Sequence, residues 1–189
     1  MQKSTIGINS MGKREEVKKP KVDKDFYATV DTDAVTPLLP YIRGKTYAEP
    51  FYGDGDLEDL LMDAATCKWR SDIRNTVLTS KVMPATDVLE YDLRDCDLIV
   101  SNPPFTRSVL LPCIDHLSKL KPTWLLLPSD MLHNKYMIPY MKKCELVLSV
   151  GRLCWFPDAG GKKVKGVDNY MWAKFVDYEC DTIFKGRLE

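Results

Sequence analysis

Histidine is nearly absent from this sequence: His116 and His133 are the only two in 189 residues. The six cysteines (Cys67, Cys96, Cys113, Cys144, Cys154, Cys180) are scattered, with no C-x-x-C pair. Zinc-ligand spacing is therefore missing, and no metal is expected. The scatter argues equally against a disulfide framework, so free thiols in a reducing, cytoplasmic compartment are the expectation. Long apolar runs are missing too. Stretches such as Trp124 to Leu127 are too short to cross a bilayer, and the polar, basic N-terminus has no apolar signal segment. No membrane partner is expected. Net charge is also missing, with Lys+Arg and Asp+Glu at 27 each. That balance neither demands nor excludes nucleic acid, because local patches decide binding.

The length suits one domain with a full core. Residues 1–25 carry seven basic and four acidic residues and few apolar ones, so they read as a disordered basic tail. Lys18-Lys19-Pro20-Lys21 is either a phosphate contact or a solvated run. Residues 26–189 read as the folded domain. The pattern predicts helices over 32–42, from about Asp56, over 107–120 and within 130–142, the last weakened by Pro139. It predicts strands at 45–49, 67–71, 82–83, 97–101, 124–127, 146–150 and 170–176. Alternating short apolar strands and helices argue for a single α/β domain, Rossmann-like. Its seven-stranded sheet is mostly parallel, has helices on both faces, and ends in an antiparallel last strand.

Two motifs stand where such a sheet binds ligands, outside the carboxyl ends of its strands. Asn102-Pro103-Pro104-Phe105 follows the strand 97–101. An amide oxygen and the carbonyl of the next proline can accept both hydrogens of one planar NH2 group. The prolines stiffen the backbone and remove competing donors, and Phe105 offers a face for stacking. The second motif is Glu49-Pro50-Phe51-Tyr52-Gly53-Asp54-Gly55-Asp56. Gly53-x-Gly55 lets a backbone pass close to a ligand. It is also compatible with an ordinary tight turn. The third glycine of the dinucleotide fingerprint is missing, since Glu58 stands there. Acids at the helix start suit its dipole but repel pyrophosphate, so a cationic or zwitterionic ligand fits better than a nicotinamide cofactor. Asp72 is placed to accept from ribose hydroxyls or to cap a helix. Asp87 is placed to accept from an adenine amine or to make a turn.

This ordered set resembles the S-adenosylmethionine-dependent N6-adenine DNA methyltransferases. Their catalytic motif is matched by Asn102-Pro103-Pro104-Phe105 and their glycine motif by the 49–56 segment. Their N-terminal cofactor motif looks like Asp25-Phe26-Tyr27-Ala28-Thr29. The resemblance covers about residues 25–177. It implies S-adenosylmethionine as cofactor, held by Phe26, Tyr27, Thr29, Glu49, Pro50, Phe51, Gly53, Gly55, Asp72, Asp87 and Val88. It implies methyl transfer to the N6 amine of an adenine flipped out of DNA and stacked on Phe105. The small size points to a phage-type enzyme.

A large target-recognition region is missing. What is left is the tail and the loop 151–169, expected to be mobile. Arg107, Lys162, Lys163 and Lys165 are candidate phosphate contacts. Trp155 or Phe156 is either a second aromatic wall or core packing. Recognition is then of a short sequence, nearly unspecific, or shared with a second subunit or a homodimer. Two other readings stay open: methylation of a protein glutamine amide or an RNA amine, and a degenerate, non-catalytic methyltransferase fold.

Overall fold

A computed structural model describes residues 28–72, 83–84, 93, 95–155 and 164–187. The expected tail 1–25 lies outside these residues. The strands are β1 (Thr46–Glu49), β2 (Thr66–Asp72), β3 (Met83–Pro84), β4 (Leu98–Ser101), β5 (Thr123–Pro128), β6 (Cys144–Arg152), β7 (Asn169–Phe175) and β8 (Ile183–Lys185). They form one sheet in the order β3-β2-β1-β4-β5-β7-β6-β8. Strands β1 to β5 run parallel, and β7 is inserted antiparallel between β5 and β6. The seven expected strands are all present, mostly parallel, with the antiparallel one last among them. An eighth, β8, adds itself parallel to β6.

Burial on both faces explains the apolar runs. All four residues of β4 and the first five of β5 are buried. Alternation along the strands assigns each side chain to a face. Leu98, Val100, Trp124, Leu126, Tyr170 and Trp172 pack with the N-terminal helical segments and the helix α2 (Asp56–Leu61). Ile99, Leu125, Leu127, Met171, Ala173 and Phe175 lie on the other face, under the helix α3 (Arg107–Leu120) and the 129–141 segment. Helix α3 buries Leu110, Cys113, Ile114 and Leu117, the spacing of a single helical stripe.

Two expected helices are broken. The 32–42 segment holds a 3-10 turn (Thr32–Ala34) and a short helix, α1 (Leu39–Ile42). Pro37 and Pro40 remove N–H groups that a continuous helix needs. The 130–142 segment holds two 3-10 turns (Ser129–His133 and Lys135–Met137) and a single turn, α4 (Ile138–Met141), with Pro139 in its first turn. All six cysteines are free thiols, five of them buried. Among the described residues, no helix is long and apolar enough to cross a membrane.

Trp172 joins the sheet to the N-terminal segment. It is fully buried, and its indole donates to the Ala34 carbonyl at 2.7 Å. Replacing it by Phe keeps much of the packing but orphans that carbonyl. Trp172→Phe should lower the unfolding free energy by about 2–3 kcal/mol in urea titration, the combined loss of the bond and of packing.

Candidate functional site

The chain leaves β1 toward β2 on one side and leaves β4 toward β5 on the other. The crevice between their carboxyl ends is therefore the switch point at which open α/β sheets bind ligands. Pairing of Ala48 with Ile99 sets Glu49 beside Val100, with Asn102 two residues beyond. Both sequence motifs thus open onto the same crevice.

The glycine turn is laced to the end of β2. Tyr52 N–H donates to the Ser71 carbonyl at 2.9 Å, and the Ser71 hydroxyl donates to the Pro50 carbonyl at 3.1 Å. Gly53 N–H donates to Asp72 Oδ2 at 2.8 Å. Asp72, expected as a ribose acceptor, thus also closes the turn. Gly55 begins α2 at a φ of 96°, and a Cβ there would stand 2.6 Å from the Tyr52 hydroxyl. The left-handed φ is what favours glycine at this position, and a Cβ would in addition make the Tyr52 ring move.

The crevice wall is acidic. Glu49 is 1% exposed, and among the described residues nothing hydrogen-bonds its Oε2. Burial holds its carboxyl well above the usual range; Glu58 adds to the push, Arg70 opposes it, and Asp56 and Asp72 reinforce it. Arg70 grips Glu58 through both Nε and Nη2. Glu58, in place of a third glycine, is therefore committed to holding β2 against α2.

Asn102 is half-buried, and its Nδ2 donates to Thr29 Oγ1 at 3.1 Å. Pro103 is buried, and Pro104 and Phe105 are half-buried. Phe105 lies 6.2 Å from the Tyr170 ring at 37°, and Tyr170 meets Trp155 edge-on at 4.8 Å. Trp155 is 7% exposed, so core packing describes it better than an open wall. Phe51 packs toward the α3 face.

Thr29, Glu49, Pro50, Gly53, Gly55, Asp72 and Asn102 to Phe105 are gathered along one sheet edge. The described candidates for phosphate contact have partners of their own. The Arg107 guanidinium lies 4.0 Å over the Tyr136 ring, and Lys165 pairs with Asp33 at 2.5 Å. Phe26, Tyr27, Asp87, Val88, Phe156, Lys162 and Lys163 lie outside the described residues. Sequence reasoning missed Tyr170 and the second role of Asp31. Tyr170 pairs with Pro128 at the carboxyl end of β5, so antiparallel β7 delivers its first residues to the site edge. Asp31 caps the 32–34 turn by accepting from Asp33 N–H, and its Oδ2 also accepts from Cys154 N–H at 2.9 Å. Among the described residues, no cluster of His, Cys, Asp and Glu could hold a metal ion.

No protein-family model matches the chain, and no curated protein matches it in sequence. Solved structures do match in shape. A chain of the E. cuniculi Mtq2–Trm112 complex, responsible for methylation of the eRF1 translation termination factor, gives a TM-score of 0.53 at 12% identity over 77% of this chain and 91% of that one. A protein designated a modification subunit of a type I restriction enzyme from Vibrio vulnificus YJ016 gives 0.52 at 12% identity, covering 88% of this chain. A dimethyladenosine transferase from Plasmodium falciparum gives 0.46 at 16% identity over 76% of this chain. The chain spans 48% of the Vibrio subunit and 59% of the Plasmodium enzyme. The fold is that of the Rossmann-like methyltransferases.

Glu49 carries a signed prediction. Its carboxyl is raised in the folded state, so its contribution to stability is complete below the unfolded carboxylate value and is lost as pH rises toward the folded one. Across that window the wild type should lose up to about 1.4 kcal/mol per pH unit relative to Glu49→Gln. The unliganded variant is therefore expected to melt above the wild type at pH 8, and the gap should close near pH 4. Thermal melts of both proteins over this range check the sign.

Proposed function

We propose that the protein transfers a methyl group from S-adenosylmethionine to the exocyclic N6 amine of adenine in DNA. The observation that carries this reading is Asn102, at the carboxyl end of β4 beside the switch point, with Pro103, Pro104 and Phe105 following it. The methyltransferase fold supports it.

The crevice suits a cationic cofactor. Glu49 is buried with an unmatched oxygen, and Asp56 and Asp72 stand close enough to act on its charge. An ammonium or sulfonium group would relieve that charge, whereas a pyrophosphate would oppose it. Gly53 and Gly55 would let the backbone approach the cofactor, and Asp72, at the end of β2, would accept from its ribose hydroxyls. When bound, S-adenosylmethionine supplies an electrophilic methyl on a sulfonium whose sulfur leaves as a neutral thioether.

The chain's own part is acceptor chemistry and alignment. The N6 lone pair of adenine is delocalised into the ring and is a weak nucleophile. Asn102 Oδ1 and the Pro103 carbonyl each accept one amine hydrogen, which draws the nitrogen toward a tetrahedral shape and aims its lone pair at the methyl. After transfer the nitrogen releases one proton to water. Phe105 stacks on the base, backed by Tyr170. Most of the acceleration is positioning.

A second reading, a protein glutamine amide, is favoured by one observation, and an RNA amine, which carries the same phosphates as DNA, stays beside the first. Arg107 and Lys165, the described candidates for phosphate contact, are engaged by Tyr136 and Asp33. Both substrates offer the same planar NH2.

Protein incubated with methyl-labelled S-adenosylmethionine should label single- or double-stranded unmethylated DNA, and digestion should place the label in N6-methyladenosine. Label confined to RNA or to a release factor would transfer the mechanism to that substrate. Asn102→Ala should lower the rate by roughly 100- to 1000-fold, the scale for removing one aligned group. Its cofactor affinity by calorimetry should stay within about threefold. Phe105→Ala should lower kcat/KM by about 5- to 150-fold, as 1–3 kcal/mol of base stacking requires.

A further inference from the structure

Strand β8 stands outermost in the sheet and pairs with β6, so among the described residues no strand covers its other side. A bare edge of this kind offers backbone groups to another chain. Its side chains add apolar surface, with Ile183 58% exposed and Phe184 68%. Residues 179–187 contain no turn or bend, so the extended run is longer than β8 itself.

One bond shows which backbone groups face outward. Cys180 N–H donates to the Lys142 carbonyl at 2.9 Å, on the β6 side. Alternation along an extended strand then turns the groups of Thr182 and Phe184 inward and those of Asp181, Ile183 and Lys185 outward. The side chains of these three outward residues also share a face. Ile183 pairs with Leu146 and Lys185 with Leu148, on the face that carries α1, and the Lys185 ammonium stands 5.3 Å from the Tyr41 ring centre.

Charge along the run is arranged symmetrically about Ile183. Glu179 and Asp181 precede it, and Lys185 and Arg187 follow at the mirrored positions. An antiparallel pair of two copies centred on Ile183 therefore sets Asp181 opposite Lys185 and Glu179 opposite Arg187, each twice. Opposite charges directly across a ladder stabilise it, and like charges there oppose it. The contacts these charges make within their own chain are solvated and weak: Glu179 with Lys142 at 3.8 Å and Arg187 with Asp33 at 3.7 Å.

We propose that β8 is a homodimer interface, at which two copies pair antiparallel about Ile183 and join their sheets into one. The contact is isologous, the form a two-fold requires. Ile183 meets its own counterpart, and this pair and the Asp181–Lys185 pairs exchange backbone N–H···O bonds. Phe184 meets Thr182 on the opposite face. Strand β8 runs in the direction of β1 to β5. Across the two-fold the second sheet runs the other way, so the two crevices open at opposite edges and neither copy completes the other's site.

Sedimentation velocity of the full chain over about 1–100 µM should show monomer passing into dimer. Asp181→Lys and Lys185→Asp each set like charges across both pairs, and each should raise the dimer dissociation constant roughly tenfold or more. Mixed together, these two variants recover both opposite-charge pairs and should form a heterodimer within about threefold of the wild-type affinity. The Asp181→Lys/Lys185→Asp double variant should recover self-association in the same way. Ile183→Pro removes an N–H that points away from β6, so the circular dichroism of the monomer should be kept and the dimer lost. A chain that stays monomeric throughout the range would overturn the proposal. So would a dimer indifferent to the single charge reversals or to Ile183→Pro, and so would charge-reversed variants that fail to pair when mixed.

Discussion

The structure depends on one stretch of chain, residues 29–34, being held across the carboxyl edge of the sheet. Asn102 donates to Thr29, Cys154 N–H donates to Asp31, and the Trp172 indole donates to the Ala34 carbonyl, across 73, 123 and 138 residues. These bonds reach β4, the end of β6 and β7 from a single short segment. Because the segment is buried at Thr29, Asp31 and Ala34, each bond would leave an orphaned polar group if broken. The Asp33 pairs with Lys165 and Arg187 lie outside this seal and are partly solvated. Surface pairs of that kind contribute little. The buried bonds, rather than these charges, fix where the site edge stands.

The acids at the β1 and β2 ends follow a different logic. A buried carboxyl with an unmatched oxygen weakens the fold that carries it. Glu49 is therefore hard to account for as a structural residue. Arg70 is close enough to oppose its shift, yet its Nε and Nη2 both donate to Glu58. The turn is likewise built against phosphate: Asp56, Glu58 and Asp59 occupy the first turn of α2, where a phosphate-binding loop presents bare N–H groups. Burial opposes the ionisation of the Glu49 carboxyl, and a cationic ligand beside it would favour that ionisation.

The sheet was legible because its strands announce themselves. β4 and β5 are apolar runs too short for helices, and α3 shows a stripe from Leu110 to Leu117. The 32–42 and 130–142 segments carry similar apolar spacing, but Pro37, Pro40 and Pro139 break the backbone bonding that the spacing suggests. β8 was invisible: its three residues are all exposed, so they show no alternation, and pairing with β6 alone makes them a strand. The site was legible where chemistry is concentrated in sequence, at 49–56 and 102–105. It was not legible where long-range geometry makes it. Nothing near Tyr170 says that an antiparallel strand brings its first residues to the edge where parallel strands end. Nothing near Asp31 says that a cap also receives Cys154 N–H.

The proposed acceptor pair at Asn102 and Pro103 would select a planar amine, not the polymer that bears it. The polymer must be selected by what surrounds the crevice. Arg107 stacks on Tyr136 and Lys165 pairs with Asp33, which at first sight removes both from phosphate binding. The energetics point the other way. An exposed cation–π contact is worth about 0.5–1 kcal/mol and an exposed ion pair about 0–1 kcal/mol. A phosphate offers either cation a stronger, charge-assisted partner. Releasing Lys165 leaves Arg187 near Asp33, at 3.7 Å, so the carboxylate is not stranded. Both cations can therefore be held in place without a substrate and exchanged at small loss when a phosphate backbone arrives, which keeps DNA ahead of a neutral amide as the proposed substrate.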